Sequence, residues 1–315
     1  MGSARTLEFL LLTRHPGLGL QFKRFTTGGG TFQTGLEHLD AWLKDFQPTL
    51  VIFNYGGNDA SAGPHGLPEF KTRMEESYER VRKSGARVLF VTPQAADDRK
   101  SGLEAAANRT LYAETMLTFG RQKGWSVIDV HHPLELLQRS RQEIDPNFTI
   151  LRDKIHLTHP SYVAWAYMVY ERLDLPFVVC SATLTADGRV LGTENCGVRD
   201  VELKEGGLTF TRLDTVLPVL PPGPLPPRYC VPIEGTARYL LKITGLAHGT
   251  YDVLCAGRPL GTAEAEELAA GVNLNTLLLD SKQEAPWAPL SFAIWHGQGL
   301  DRVGHTRWRF EVRKR

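Results

Sequence analysis

The chain has 315 residues, 42% of them hydrophobic, enough to bury a substantial core and to build two domains. Its 36 Lys and Arg offset 35 Asp and Glu for a net charge of +1, which gives no electrostatic reason for a nucleic acid or an anionic membrane as partner. No apolar run approaches the roughly 18 residues of a membrane span.

Near the start, Leu7 to Leu12 has a helical texture but lacks the flanks of a signal peptide. Gln21 to Phe25 alternates apolar and polar residues and is expected to be a first strand. It runs into Thr26-Thr27-Gly28-Gly29-Gly30-Thr31, a loop whose glycines let backbone approach a ligand closely. No Gly-Lys-Ser/Thr follows, so this is not a P-loop. Leu36, Leu39, Trp42, Leu43 and Phe46 recur at helical spacing and predict a helix packed on a sheet. Thr49 to Asn54 is a short β-branched run suited to a strand buried on both faces. Gly56 and Gly57 stop it, leaving Asn58 and Asp59 beyond its carboxyl end, where open α/β sheets bind ligands.

Further on, Glu69 to Lys83 reads as a helix, Arg87 to Thr92 as a buried strand, Leu103 to Lys123 as a long helix and Trp125 to Val130 as another strand. A short helix follows His131-His132-Pro133, with the two histidines read as exposed loop residues. A last helix begins near Pro160, a residue suited to a first turn. Strands alternating with helices at this pitch imply crossover units and a parallel sheet.

From about Pro176 the texture becomes mostly β. Tyr239–Ile243 and Thr250–Leu254 read as a hairpin joined through Gly245 to Gly249, and Glu264 to Ala270 as a short helix. Pro218 to Pro227 reads as a rigid extended link. The expected organisation is a first domain over residues 1–175 and a β-rich accessory domain over 176–315 with the texture of a small sandwich. The four cysteines all lie in this half without a Cys-x-x-Cys pair. Thiolate-bound zinc is therefore not expected, and buried free thiols are, although an even count leaves disulfides open.

Gly-x-Asn-Asp after a buried strand, followed much later by Asp153-Lys154-Ile155-His156-Leu157-Thr158, resembles the SGNH hydrolases, also called the GDSL esterase/lipase family. The resemblance runs from about Leu7 to Leu175. It implies a flavodoxin-like three-layer α/β fold around a parallel sheet, acyl transfer to serine and then to water, and no cofactor. It implies too that Asn58 is an oxyanion-hole donor and that Asp153 and His156 complete a Ser-His-Asp triad. The loop Gly28 to Thr31 resembles the family's second block, and aligning on Thr31 makes Gly29 the backbone donor, with Gly30 adjacent.

The residues alone support the same chemistry. A neutral imidazole can take a proton from a hydroxyl, and a carboxylate three residues earlier can reach its Nδ1 proton and fix the tautomer. A metal held by Asp153, His156 and His159 would need a further ligand from elsewhere, so no metal is expected. The nucleophile is the missing part: family members carry Gly-Asp-Ser at the end of a first, central strand. Here only Gly2-Ser3 resembles that motif, and Ser61 lies on the wrong side of Asn58 for it. The expectation is that the chain begins after that strand. A small-molecule or carbohydrate ester is the expected substrate, with a non-catalytic module that has lost its nucleophile as the rival reading.

Overall fold

A computed structural model describes residues 2–223, 226–230 and 233–315. The elements in chain order are α1 (Ser3–Arg14), α2 (Phe32–Phe46), β1 (Leu50–Phe53), α3 (Leu67–Lys83), β2 (Arg87–Val91), α4 (Asp98–Ser101), α5 (Leu103–Lys123), β3 (Val127–Ile128), α6 (His131–Gln142) and α7 (His159–Glu171). Then come β4 (Val179–Thr185), β5 (Val190–Glu194), β6 (Cys196–Lys204), β7 (Gly207–Asp214), α8 (Ile233–Thr236), β8 (Arg238–Thr244), β9 (Thr250–Cys255), β10 (Arg258–Glu264), α9 (Ala265–Ala270), β11 (Val272–Asn273), α10 (Leu274–Ser281), α11 (Ala288–Trp295) and β12 (Thr306–Lys314). They form two compact units, one of Phe22–Arg172 and one of Met1–Gln21 with Leu173–Arg315. The first 21 residues thus group with the carboxy-terminal part, whereas the sequence reading placed them in the first domain. The apolar side of α1 is satisfied there, with Phe9 against Trp295 at 6.2 Å between rings.

The unit of Phe22–Arg172 is an α/β fold around a parallel sheet in the order β1-β2-β3. Leu50 to Phe53 pair in register with Arg87 to Phe90, and Phe90 and Val91 with Val127 and Ile128. Every second residue of a strand faces the same way. Val88 and Phe90 join one buried cluster with Leu36, Leu39, Phe53, Phe70, Met74 and Met116, drawn from α2, β1, α3 and α5. Leu89 and Val91 are buried on the opposite side. Phe32 centres the cluster, its ring 5.8 Å from Phe53, 5.5 Å from Phe70 and 6.0 Å from Phe90.

Gln21 to Phe25, expected as a strand, is irregular and largely exposed. Alternation alone does not make a strand without a neighbour to take its backbone hydrogen bonds. Among the described residues β1 pairs only with β2, and Phe25 is held instead by stacking on Trp42 at 4.7 Å.

The other unit holds a five-stranded antiparallel sheet, β10-β9-β12-β7-β6, and a mixed four-stranded sheet, β11-β8-β4-β5. β8 and β9 do not pair with each other as the sequence reading expected. β8 runs parallel to β4, and β9 pairs with β10 and β12. The hairpin lies one strand later, at Ala256 and Gly257, whose φ values of 51° and 75° suit the tight turn between paired Cys255 and Arg258. The proline-dense stretch, expected as a rigid extended link, packs into its unit. Leu217, Val219 and Leu220 are buried, and the Asn275 side chain donates to the Pro218 carbonyl at 2.8 Å. Pro224 and Leu225 of that stretch lie outside the described residues.

Candidate active site

Two loops are laced together beyond the carboxyl end of β1. The turn Thr27–Gly30 closes through Gly30 N–H to the Thr27 carbonyl at 3.0 Å, with Gly29 at φ 69°, a conformation that favours glycine. Thr31 then caps α2 by accepting from Thr34 N–H, which fixes the end of the loop, and Phe32 is driven into the core. From the other side the Asn58 amide donates to the Gly30 carbonyl at 3.0 Å. Asp59, only 7% exposed, accepts from Phe32 N–H at 3.1 Å and Gly56 N–H at 3.0 Å. Burial raises the Asp59 carboxyl above its ordinary value, and those backbone donors pull the other way. Asp59 is therefore the clamp between the loops, although its place beside Asn58 reads as chemistry in the sequence.

Asn58 and Gly29 thus share one loop pair. The Gly30 N–H is spent on the turn, whereas the Gly29 N–H makes no hydrogen bond among the described residues. An amide group carries two N–H donors, and the Gly30 carbonyl takes one of those on Asn58.

Asp153 and His156 come from a loop closed at its base by a bridge between Leu151 and Leu157. His156 Nδ1 lies 2.9 Å from Asp153 Oδ2 and 3.1 Å from Oδ1. Asp153 Oδ1 also accepts the backbone N–H groups of His156 at 2.8 Å and Ile155 at 2.9 Å. Those two donors, ahead of the imidazole, hold the carboxyl well below the usual carboxylate range. Both side chains are open to solvent, at 46% and 57% exposure. Thr158 caps α7, so the helix starts immediately after the loop.

Side chains outside the motifs set the position of this loop. Gln94, three residues past β2, donates to the Ile155 carbonyl at 3.0 Å, and its Oε1 lies 4.0 Å from where a Cβ on Gly57 would sit. It therefore bonds the His156 loop and lies near the Asn58 loop. Arg109 and Ser101 donate to the Lys154 carbonyl at 2.9 and 2.7 Å, and Lys100 to the Arg152 carbonyl at 3.1 Å. No sequence motif marks these residues. The one available signal is that Gln94 follows a buried strand at its carboxyl end, as Asn58 does.

His131 departs from its reading as an exposed loop residue. It starts α6, is buried, and bonds Thr110 Oγ1 at 3.0 Å and the Pro93 carbonyl at 3.2 Å. His132 is half-exposed, with Nδ1 at 2.8 Å from Asp129. His159 opens α7, half-buried, with no hydrogen bond to its Nε2. Asp153, His156 and His159 do not converge as a metal-ligand group among the described residues. The Ser61 hydroxyl is spent on the Asn58 carbonyl at 2.8 Å, and Ser3 opens α1 in the other unit. Among the described residues no hydroxyl bonds to His156 Nε2.

Residues 11–164 match the model of the GDSL-like lipase/acylhydrolase family. No curated protein matches the chain. Among solved structures, a gut microbial diltiazem-metabolizing enzyme is similar at 19% identity and a TM-score of 0.74, over 93% of this chain and 72% of its own. An acetyl xylan esterase matches at 18% identity and a TM-score of 0.47, over 55% of this chain and 90% of its own. An acetylxylan esterase from Geobacillus stearothermophilus matches at 12% identity and the same TM-score of 0.47, over 56% of this chain and 82% of its own. At 19% identity the likeness to the first of these is one of fold.

Proposed function

Because residues 11–164 carry a domain of the SGNH/GDSL hydrolase family, making this chain a hydrolase acting on ester bonds, we propose that it cleaves acyl or acetyl esters by a serine mechanism built on Asp153 and His156. The supporting observation is the Asp153–His156 pair, with Nδ1 held at 2.9 Å and the imidazole open to solvent. With Nδ1–H donated to a carboxylate, Nε2 carries the lone pair that a base needs.

In this reading a serine hydroxyl gives its proton to His156 Nε2 as its oxygen attacks the ester carbonyl. The carbonyl oxygen takes up the negative charge, and the Gly29 N–H with the second amide N–H of Asn58 stabilise it. Collapse expels the alcohol, which takes the proton from His156. Water, deprotonated by the same imidazole, then releases the acid and regenerates the serine. The low-lying carboxyl of Asp153 remains ionised throughout and stabilises the imidazolium. The family match favours this reading over a non-catalytic module, and a small-molecule or carbohydrate ester is the substrate class it fits.

Turnover of a chromogenic acetate ester tests the assignment. Asp153→Asn is expected to lower kcat about 10⁴-fold, and Asn58→Ala about 10²–10³-fold, both with unchanged circular dichroism. An Asp153→Asn protein with wild-type turnover would reduce Asp153 to a loop cap and overturn the dyad.

A further inference from the structure

The unit of Met1–Gln21 and Leu173–Arg315 contains a buried group of reactive side chains that ester hydrolysis does not use. Cys180 on β4, Cys196 at the start of β6 and Asp214 at the end of β7 offer two sulfurs and a carboxylate oxygen, all within 4.8 Å of one another. They meet because the chain changes sheets at Asn195, whose φ is 53°. Before it, β5 pairs with β4 through Glu194 and Ser181; after it, β6 pairs with β7 through Cys196 and Asp214. The Cys196 thiol donates back to the Ser181 carbonyl at 3.0 Å, and the Cys180 thiol donates to Asp214 at 3.1 Å.

Such a trio could suit a soft metal ion, but the group already holds a cation. Arg212 is fully buried and donates Nε to Asp214 at 2.7 Å, Nη2 to the Cys180 sulfur at 2.9 Å and Nη1 to the Leu240 carbonyl at 2.9 Å. The Tyr239 hydroxyl donates to the other Asp214 oxygen. A divalent ion here would lie against a buried guanidinium and displace its hydrogen bonds, which is strongly unfavourable at low dielectric. Thiol chemistry is what remains. Among the described residues no disulfide is formed, and of this pair Cys196 is half-buried while Cys180 is fully buried.

We propose that Cys180 and Cys196 form a reversible disulfide under oxidation by a hydroperoxide, stapling the four-stranded sheet to the five-stranded sheet at the Asn195 corner. The Cys196 sulfur, the more accessible, attacks the O–O bond to give a sulfenic acid and releases water, or an alcohol from an organic hydroperoxide. The Cys180 sulfur then attacks the Cys196 sulfur, the S–O bond breaks, and its oxygen leaves as water with the Cys180 proton. The peroxide gains two electrons and the thiol pair loses two. The sulfurs, within 4.8 Å of each other, must close to about 2.0 Å.

The test treats the native full chain with hydrogen peroxide, alkylates it after denaturation and maps the cysteines by mass spectrometry. The expected product is about 2 Da lighter before alkylation, with alkylatable thiols falling from four to two, one Cys180–Cys196 linked peptide, and full reversal by dithiothreitol. Four remaining thiols, sulfinic acid without a cross-link, or a pairing through Cys230 or Cys255 would each overturn the proposal. So would stoichiometric zinc in the purified protein that shields both thiols from peroxide.

Discussion

Gln94→Ala separates positioning from folding more cleanly than any change in the motif residues. The substitution deletes one neutral hydrogen bond, to the Ile155 carbonyl at 3.0 Å, worth about 0.5–1.5 kcal/mol net. The loop keeps its Leu151–Leu157 bridge and the donors from Lys100, Ser101 and Arg109, so it remains folded. What it loses is the side chain that bonds the residue before His156 and whose Oε1 is 4.0 Å from where a Cβ on Gly57 would sit. A displacement of about 1 Å in a reacting group can cost on the order of 10²-fold in rate. The expected result is a kcat lower by about 10- to 10²-fold, a KM within about twofold, and an unfolding free energy lower by no more than about 1.5 kcal/mol. Ester turnover at saturating substrate and urea unfolding read the two quantities separately. Unchanged kcat would show that Gln94 does not hold the loops in register, and a stability loss of several kcal/mol would make its role structural.

The clamp and the buried histidine give two more expectations. Asp59→Ala removes an acceptor from two backbone N–H groups; at about 1.5–3 kcal/mol for each bond to a charged group, partly offset by the relieved burial of the carboxylate, urea unfolding should show a loss of about 2–3 kcal/mol. An unaltered midpoint would mean that the loops are held by other contacts. Burial lowers the His131 pKa below its ordinary 6.5, so the unfolded chain binds that proton first as pH falls. The associated stability is full above 6.5 and is lost as pH drops through the depressed folded value. His131→Asn should therefore flatten stability against pH below 6.5, and an identical slope in both proteins would refute this.

How much of this could be read from the chain depended on whether a feature is local. Leu103–Lys123 emerged with the bounds that periodicity gave it, and Thr49–Asn54 and Arg87–Thr92 contain the adjacent parallel strands β1 and β2, because helical spacing and short β-branched runs are local signals. Asp153 and His156 were legible for the same reason, three residues apart on one loop. Features set by distant partners were not. Gln21–Phe25 alternates like a strand but has no neighbour to pair with, and β8 and β9 look like a hairpin yet belong to different sheets. Gln94 and Arg109 matter through main-chain carbonyls near residue 155, a relation no local pattern records. His131 looked exposed beside a proline, and only the packing of Thr110 and Pro93 against it shows otherwise.

The central claim, a serine nucleophile served by His156, is tested most directly with a fluorophosphonate probe that bonds only to an activated serine. The folded chain is incubated with the probe, digested, and the adduct located by mass spectrometry, with His156→Ala treated alongside. In an active form of the protein, one labelled serine, lost in His156→Ala and in parallel with ester turnover, is the predicted result. Ester turnover that proceeds without any labelling, or labelling indifferent to His156→Ala, would contradict it.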